Sequence, residues 1–227
     1  MLIAVLFAAA LMLAPAPAST EGRALVARME QELAAVRARH AQAPPKDDVE
    51  RLQRLGELDQ VLRQIVVHAE FSAIPEADRV AAREAAGALI DSVDRENQAA
   101  LVAMLPPEGW FYESRYGRPA AQAAFHVVQH ADTELQRRFL PILAELVPKG
   151  EVEGQSYALM YDRVAMAEGR PQRYGSQFRC EDGRWTVYRI EDPAQLDALR
   201  QTMGLGPFAE MKAQVDKLPP CLEPARR

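Results

Sequence analysis

Apolar side chains recur every three or four residues through most of this chain, and proline or glycine repeatedly interrupts the rhythm. That period belongs to helices with one buried face, and it leaves little room for sheet. Leu25, Met29, Leu33 and Val36 predict an amphipathic helix over Glu21–Ala41, stopped by Pro44 and Pro45. Leu52, Leu55, Leu58, Leu62, Ile65 and Val66 predict a second helix, capped by Asp47 or Asp48. Together they read as an antiparallel helical hairpin over residues 19–74. Pro75 opens a third helix running to Met104, which Pro106, Pro107 and Gly109 break. Trp110, Phe111, Tyr112 and Tyr116 then form an aromatic loop, either a core plug or a pocket wall. Further helices are expected over Arg118–Ala131, from Asp132 to Val147 with a kink at Pro141, and over Gln155–Ala167.

The pattern changes once. Ser176–Cys180 and Trp185–Ile190 favour strands, and Asp182-Gly183 between them signals a tight turn. Two last helices, Pro193–Met203 and Pro207–Leu218, flank Gly204-Leu205-Gly206. The expected fold is therefore all-α, mainly helical with about eight helices, with one small β-hairpin (residues 176–190) near the C-terminus. Residues 75–227 would form the core domain.

Residues 1–18 read as a signal peptide. Leu2 to Leu13 is an unbroken apolar run, shorter than the roughly 20 residues a spanning helix needs. Ala16-Pro17-Ala18 supplies a small-x-small site, with cleavage expected before Ser19. No Lys or Arg precedes the run, and no Cys stands directly after the cleavage site. The expected location is periplasmic or secreted, with no stable membrane anchor after cleavage. A net charge of −5 gives no reason to expect nucleic acid. Arg supplies all but four of the 27 basic residues, and Ala is abundant, as in GC-rich bacterial coding. The only cysteines, Cys180 and Cys221, are expected to pair in an oxidising compartment. Closing a loop of about 40 residues would stabilise by about 4 kcal/mol in the chain-entropy model.

Three segments carry polar groups suited to chemistry. On the fourth helix His126 and His130 stand at i, i+4 and share a stripe with Gln122 and Gln129, opposite an Ala/Val/Phe face. That spacing can hold a metal, but Val127 stands where the glutamate of an HExxH helix would be, and no metal is assigned. A solvated polar face and an acid–base role for His130 are the other readings. On the sixth helix Asp162 and Arg163 are the only charges of an otherwise apolar segment, so they need buried partners; Asp132, Glu134 and Arg173 are candidates. Gln172, Arg173, Tyr174, Ser176 and Gln177 then crowd polar groups beside Gly175. They could line a pocket or satisfy loop backbone groups. Nucleophile elbow, phosphate-binding glycine loop and CxxC pair are all missing, and no cofactor is implied.

These pieces together resemble the bacterial domain of unknown function 6624. The matching motifs are Val128-Gln129-His130-Ala131-Asp132, Gln136, Leu140-Pro141, Asp162-Arg163, Gly169 and Gln172-x-Tyr174-Gly175-x-Gln177. Asp94, Asn97 and Gly109-Trp110 match upstream; Asp192-Pro193, Asp197, Arg200, Gly204-Leu205 and Pro207 match downstream. The likeness spans Ser92 to Met211 and leaves out the two N-terminal helices. The family carries an aliphatic residue at the place of His126, and Thr or Pro more often than Ser176 or Phe111. The first departure shifts weight to His130. The resemblance implies a residue list and no reaction.

Two functional expectations follow, with a structural one beside them. Gln129, Asp132, Gln172, Tyr174 and Gln177, with His130 and Arg163, would bind a small polar ligand, a peptide or a periplasmic protein. Alternatively His130 would be the general base of a metal-independent hydrolase, oriented by Asp132 or Asp162, with Arg163 stabilising negative charge. Or these residues form a buried network that only specifies the fold. For the cysteine pair, alkylation of the native protein followed by mass spectrometry should label neither Cys180 nor Cys221 until a reductant is added; two reactive thiols would refute the bridge.

Overall fold

The computed structural model describes residues 16–221, so the apolar run Leu2–Leu13 lies outside the described residues. The described residues form nine α-helices and one two-stranded antiparallel sheet. Helix α1 is Thr20–Ala41, with Ser19 as N-cap. Its Oγ accepts a hydrogen bond from the Gly22 N–H at 3.1 Å. Helix α2 is Asp48–Val67. Asp47 caps it, Oδ1 accepting from the Glu50 N–H at 2.8 Å. Two short 3-10 turns, Phe71–Ala73 and Glu76–Asp78, lead into α3, Arg79–Ala103. None of these helices, nor any later one among the described residues, is long and apolar enough to cross a membrane.

The chain divides into two compact units. Among the described residues, one comprises those up to Pro44 with Glu57–Glu96; the other comprises Pro45–Gly56 with those from Asn97 onward. In the first, Met29 and Leu33 of α1, Leu62 and Ile65 of α2, and Ala86 and Val93 of α3 form the core. This division differs from a break after residue 74. Two amphipathic helices leave one side of their shared apolar seam open, and the first half of α3 covers it. Within this unit Arg63 bridges Asp59 and Asp94, at 3.2 and 2.7 Å.

The second unit contains α4 (Glu113–Tyr116), α5 (Arg118–Gln129), α6 (Thr133–Leu146) and α7 (Gly154–Ala167). It also contains β1 (Phe178–Glu181), β2 (Arg184–Val187), α8 (Leu196–Thr202) and α9 (Phe208–Val215). The aromatic segment is a core plug: Trp110 and Phe111 are buried. The Trp110 ring lies 5.2 Å from that of Phe139, and Phe111 meets Tyr116 edge-on at 5.3 Å. Around them pack Leu52, Phe125, Val128, Leu143, Met160 and Val164. Part of this segment coils into the single turn of α4, which aromatic composition alone does not reveal.

The hairpin has the expected turn. Asp182 and Gly183 both have positive φ, +50° and +74°, and Glu181 pairs with Arg184. Its strands are shorter than their β-favouring runs. Gln172 forms an isolated bridge with Ile190 instead, so the flanking residues pair outside the hairpin. Cys180 and Cys221 are disulfide-bonded, with Cα atoms 5.7 Å apart. The Cys221 N–H donates to the Gly183 carbonyl at 3.1 Å, and Trp185 Nε1 donates to the Pro219 carbonyl at 3.2 Å. Pro219 and Cys221 are thus laid along the hairpin.

Gly56 was not singled out by the helical pattern, yet packing requires it. A Cβ there would fall 2.7 Å from the Cβ of Ala123 on α5. Replacing Gly56 by Leu should therefore cost about 1–3 kcal/mol through overpacking, read as a lowered melting temperature in thermal denaturation; an unchanged or raised value would contradict this close approach.

Candidate functional site

The site lies at the C-terminal end of α5. The last carbonyls of a helix have no intrahelical partner and need donors. His130 caps α5 with φ −94° and ψ 3°. Beyond it the chain turns at once into α6, whose N-cap is Asp132; Oδ1 accepts from the Leu135 N–H at 2.8 Å. Gln136, buried on α6, reaches back and donates through Nε2 to the carbonyls of Gln129 and Ala131, at 2.8 and 2.9 Å. Arg163 of α7 donates Nη1 to the same Gln129 carbonyl at 2.9 Å. Gln98 of α3 donates Nε2 to the His130 carbonyl at 3.5 Å. Gln129, His130 and Arg163 therefore meet at one corner, and all three are partly open to solvent. The His130 ring lies 6.3 Å from that of His126, inclined to it by 27°.

Asp162 faces elsewhere, as residues 100° apart on a helix must. It is wholly buried. Its Oδ1 accepts from the N–H groups of Arg173 and Tyr174, at 2.7 and 3.0 Å. Oδ2 accepts from the N–H groups of Tyr174 and Ser176, at 3.2 and 2.9 Å. One carboxylate thus closes the Gln172–Gln177 loop onto α7. Of the partners weighed from sequence, Arg173 serves Asp162, and it contributes its backbone. Its side chain pairs with Glu191 at 3.1 Å.

The rest of the loop is equally committed. Gln172 Nε2 donates to the carbonyls of Gln177 and Tyr188, at 3.1 and 2.8 Å, and its Oε1 accepts from the Gln177 N–H at 2.8 Å. Gln177 Nε2 donates to Ser176 Oγ at 3.0 Å and to the Leu159 carbonyl at 3.4 Å. The Tyr174 ring packs edge-on against Tyr157 and Tyr161. Burial pushes the phenols of Tyr157 and Tyr174 above their usual value.

Arg200, named in sequence only as part of a matching motif, completes this network. It is 2 % exposed. Nη1 donates to the Tyr174 carbonyl and Nε to the Gly206 carbonyl, each at 2.7 Å. Burial lowers its pKa, against the opposing pull of the Asp197 and Asp162 carboxylates. So Tyr174 gives its N–H to an anion and its carbonyl receives from a cation. Gly175 has φ +65°, and a Cβ there would lie 3.0 Å from the Phe208 ring, so only glycine fits.

The residues read from sequence as one site are thus split. Gln129, His130 and Arg163 share the α5–α6 corner. Asp162, Gln172, Tyr174 and Gln177 form a filled, hydrogen-bonded network. Asp132 is exposed and caps α6. The described residues contain no group of three or more His, Cys, Asp or Glu side chains able to hold a metal ion.

Removing the central carboxylate tests the division. Asp162→Ala leaves three N–H groups, one buried and two part-buried, without this acceptor, and a buried one left unmade costs about 1–3 kcal/mol. The variant should lose about 4 kcal/mol, or ~10 °C in melting temperature for a chain of this size. A loss under about 1 kcal/mol would show that the loop is held by something else.

No curated protein and no solved structure matches the chain. A protein-family model matches residues 45–217. The match takes in α2, which the motif-based resemblance had left outside, along with every element from α3 to α9. The chain belongs to the family of unknown function DUF6624.

Proposed function

We propose that this protein is an exported binding module whose contact surface is the α5–α6 corner, where Gln129, His130 and Arg163 meet. The observation that carries the reading is the contrast in exposure among the motif residues. Asp162, Gln172, Tyr174 and Gln177 are buried and satisfied by one another or by backbone, whereas Gln129, His130 and Arg163 are partly exposed residues. Guanidinium and imidazole donors suit a ligand with carboxylate or carbonyl oxygens, such as a small polar metabolite or a peptide end. Working outside the cytoplasm agrees with the apolar leader and with the Cys180–Cys221 disulfide.

Binding is favoured over hydrolysis for a geometric reason. A histidine base is normally oriented by a carboxylate. Both oxygens of Asp162 already serve backbone N–H groups, so that carboxylate supports the loop rather than His130.

A thermal-shift screen of carboxylate-bearing metabolites and peptidoglycan-derived peptides should return at least one stabilising ligand. Its affinity should fall at least tenfold, about 1.4 kcal/mol, in both His130→Ala and Arg163→Ala. The His130→Ala melting temperature should change by only a few degrees. A ligand that binds all three proteins equally, or a screen without any shift, would count against this surface.

A further inference from the structure

Ala18 and Ser19, on the two sides of the expected cleavage site, meet at one carboxylate of the first unit. Asp78, in the 3-10 turn before α3, is 9 % exposed. Its Oδ2 accepts from the Ser19 backbone N–H at 2.9 Å and from the Ser19 hydroxyl, and its Oδ1 accepts from the Ala18 N–H at 2.9 Å. Ser19 is the N-cap of α1 and the residue before which the small-x-small site predicts cleavage. The two observations are independent, one from residue pattern and one from geometry. Gly22, in the first turn of α1, makes the approach possible. A Cβ there would fall 2.7 Å from Asp78 Oδ2.

We infer that Asp78 is a built receptor for the α-ammonium group that leader removal creates on Ser19, an inference resting on the exported reading above. Hydrolysis of the Ala18–Ser19 peptide bond by an export-pathway peptidase consumes one water. It leaves a carboxylate on Ala18, which departs with the leader, and an ammonium on Ser19. The Ala18 N–H bond to Asp78 is lost. The ammonium replaces one amide hydrogen with three, enough to reach both carboxylate oxygens, and the bonds become charge-assisted. A bare ammonium at a helix N-terminus is opposed by the helix dipole; the carboxylate offsets that opposition. Arg23, whose guanidinium contacts the Ala18 carbonyl and acts on Asp78, is a like charge for the new ammonium. Glu21 in the first turn of α1 and Glu76 beside Asp78 are opposite charges. The carboxylate in direct contact dominates: an opposite charge at such distance shifts a pKa by roughly one to three pH units, against less than about one for the dipole.

The test uses the full chain with its leader, expressed in a bacterium and recovered from the periplasm. Intact mass and N-terminal sequencing should give Ser19 as the first residue. The rate of α-amine acetylation against pH, read on the N-terminal peptide, should give a midpoint about one pH unit above the ordinary 7.7–8.0. In Asp78→Asn it should fall to 8 or below. An exported protein that begins elsewhere overturns the receptor and leaves export standing; an unprocessed chain overturns both. A Ser19 start with equal midpoints in the two proteins overturns the receptor alone. Should Asp78→Asn not fold, a wild-type midpoint at or below 8 is itself decisive against it.

Discussion

A single buried carboxylate organises the second unit of this protein. Asp162 has no water to solvate it, and a buried charge is tolerated only where donors surround it. The donors are the backbone N–H groups of Arg173, Tyr174 and Ser176, all within one four-residue stretch. To supply them the chain must fold back over α7 immediately after Gly169 and Pro171. That return sets where the hairpin begins, and hence where Cys180 meets Cys221. It also presents the Tyr174 carbonyl to Arg200, which ties α8 to the same loop. Anion and cation take the N–H and the carbonyl of one residue, Tyr174, each satisfied by backbone rather than by the other.

The neighbouring residue has a different task because helix geometry turns it away. Arg163 projects toward the α5–α6 corner and shares the Gln129 carbonyl with Gln136. An adjacent Asp-Arg pair therefore ties one rigid helix to two separate places. The buried network fixes the pose of α7, and α7 fixes the pose of the guanidinium at the corner. This is how a structural network and a contact surface can share one set of sequence motifs.

Much of the architecture is legible in the sequence. Three- and four-residue spacing located the long helices, and Asp47 and Asp132 cap them as their positions suggest. Asp182-Gly183 marked the hairpin turn, and the cysteine pair marked the bridge. What escaped depends on distance in space. Gly56 gives no periodic signal, yet its missing side chain admits Ala123. The grouping of α3 with α1 and α2 depends on which seams remain uncovered, and that is a tertiary fact. Within the candidate site, burial of Asp162 was legible from its apolar surroundings. Its backbone partners were not, because main-chain donors have no sequence signature. Arg200 stood in the sequence only as one member of a motif; its central position follows from Tyr174 lying 26 residues away in sequence and 2.7 Å away in space.

The most direct test of Asp162 as the organising charge is hydrogen–deuterium exchange at single-residue resolution. The Arg173, Tyr174 and Ser176 amides should be among the slowest in the protein, opening only with global unfolding, although they lie in a loop outside any helix or ladder. Exchange of these three amides at the rate of ordinary exposed loop positions would contradict the account.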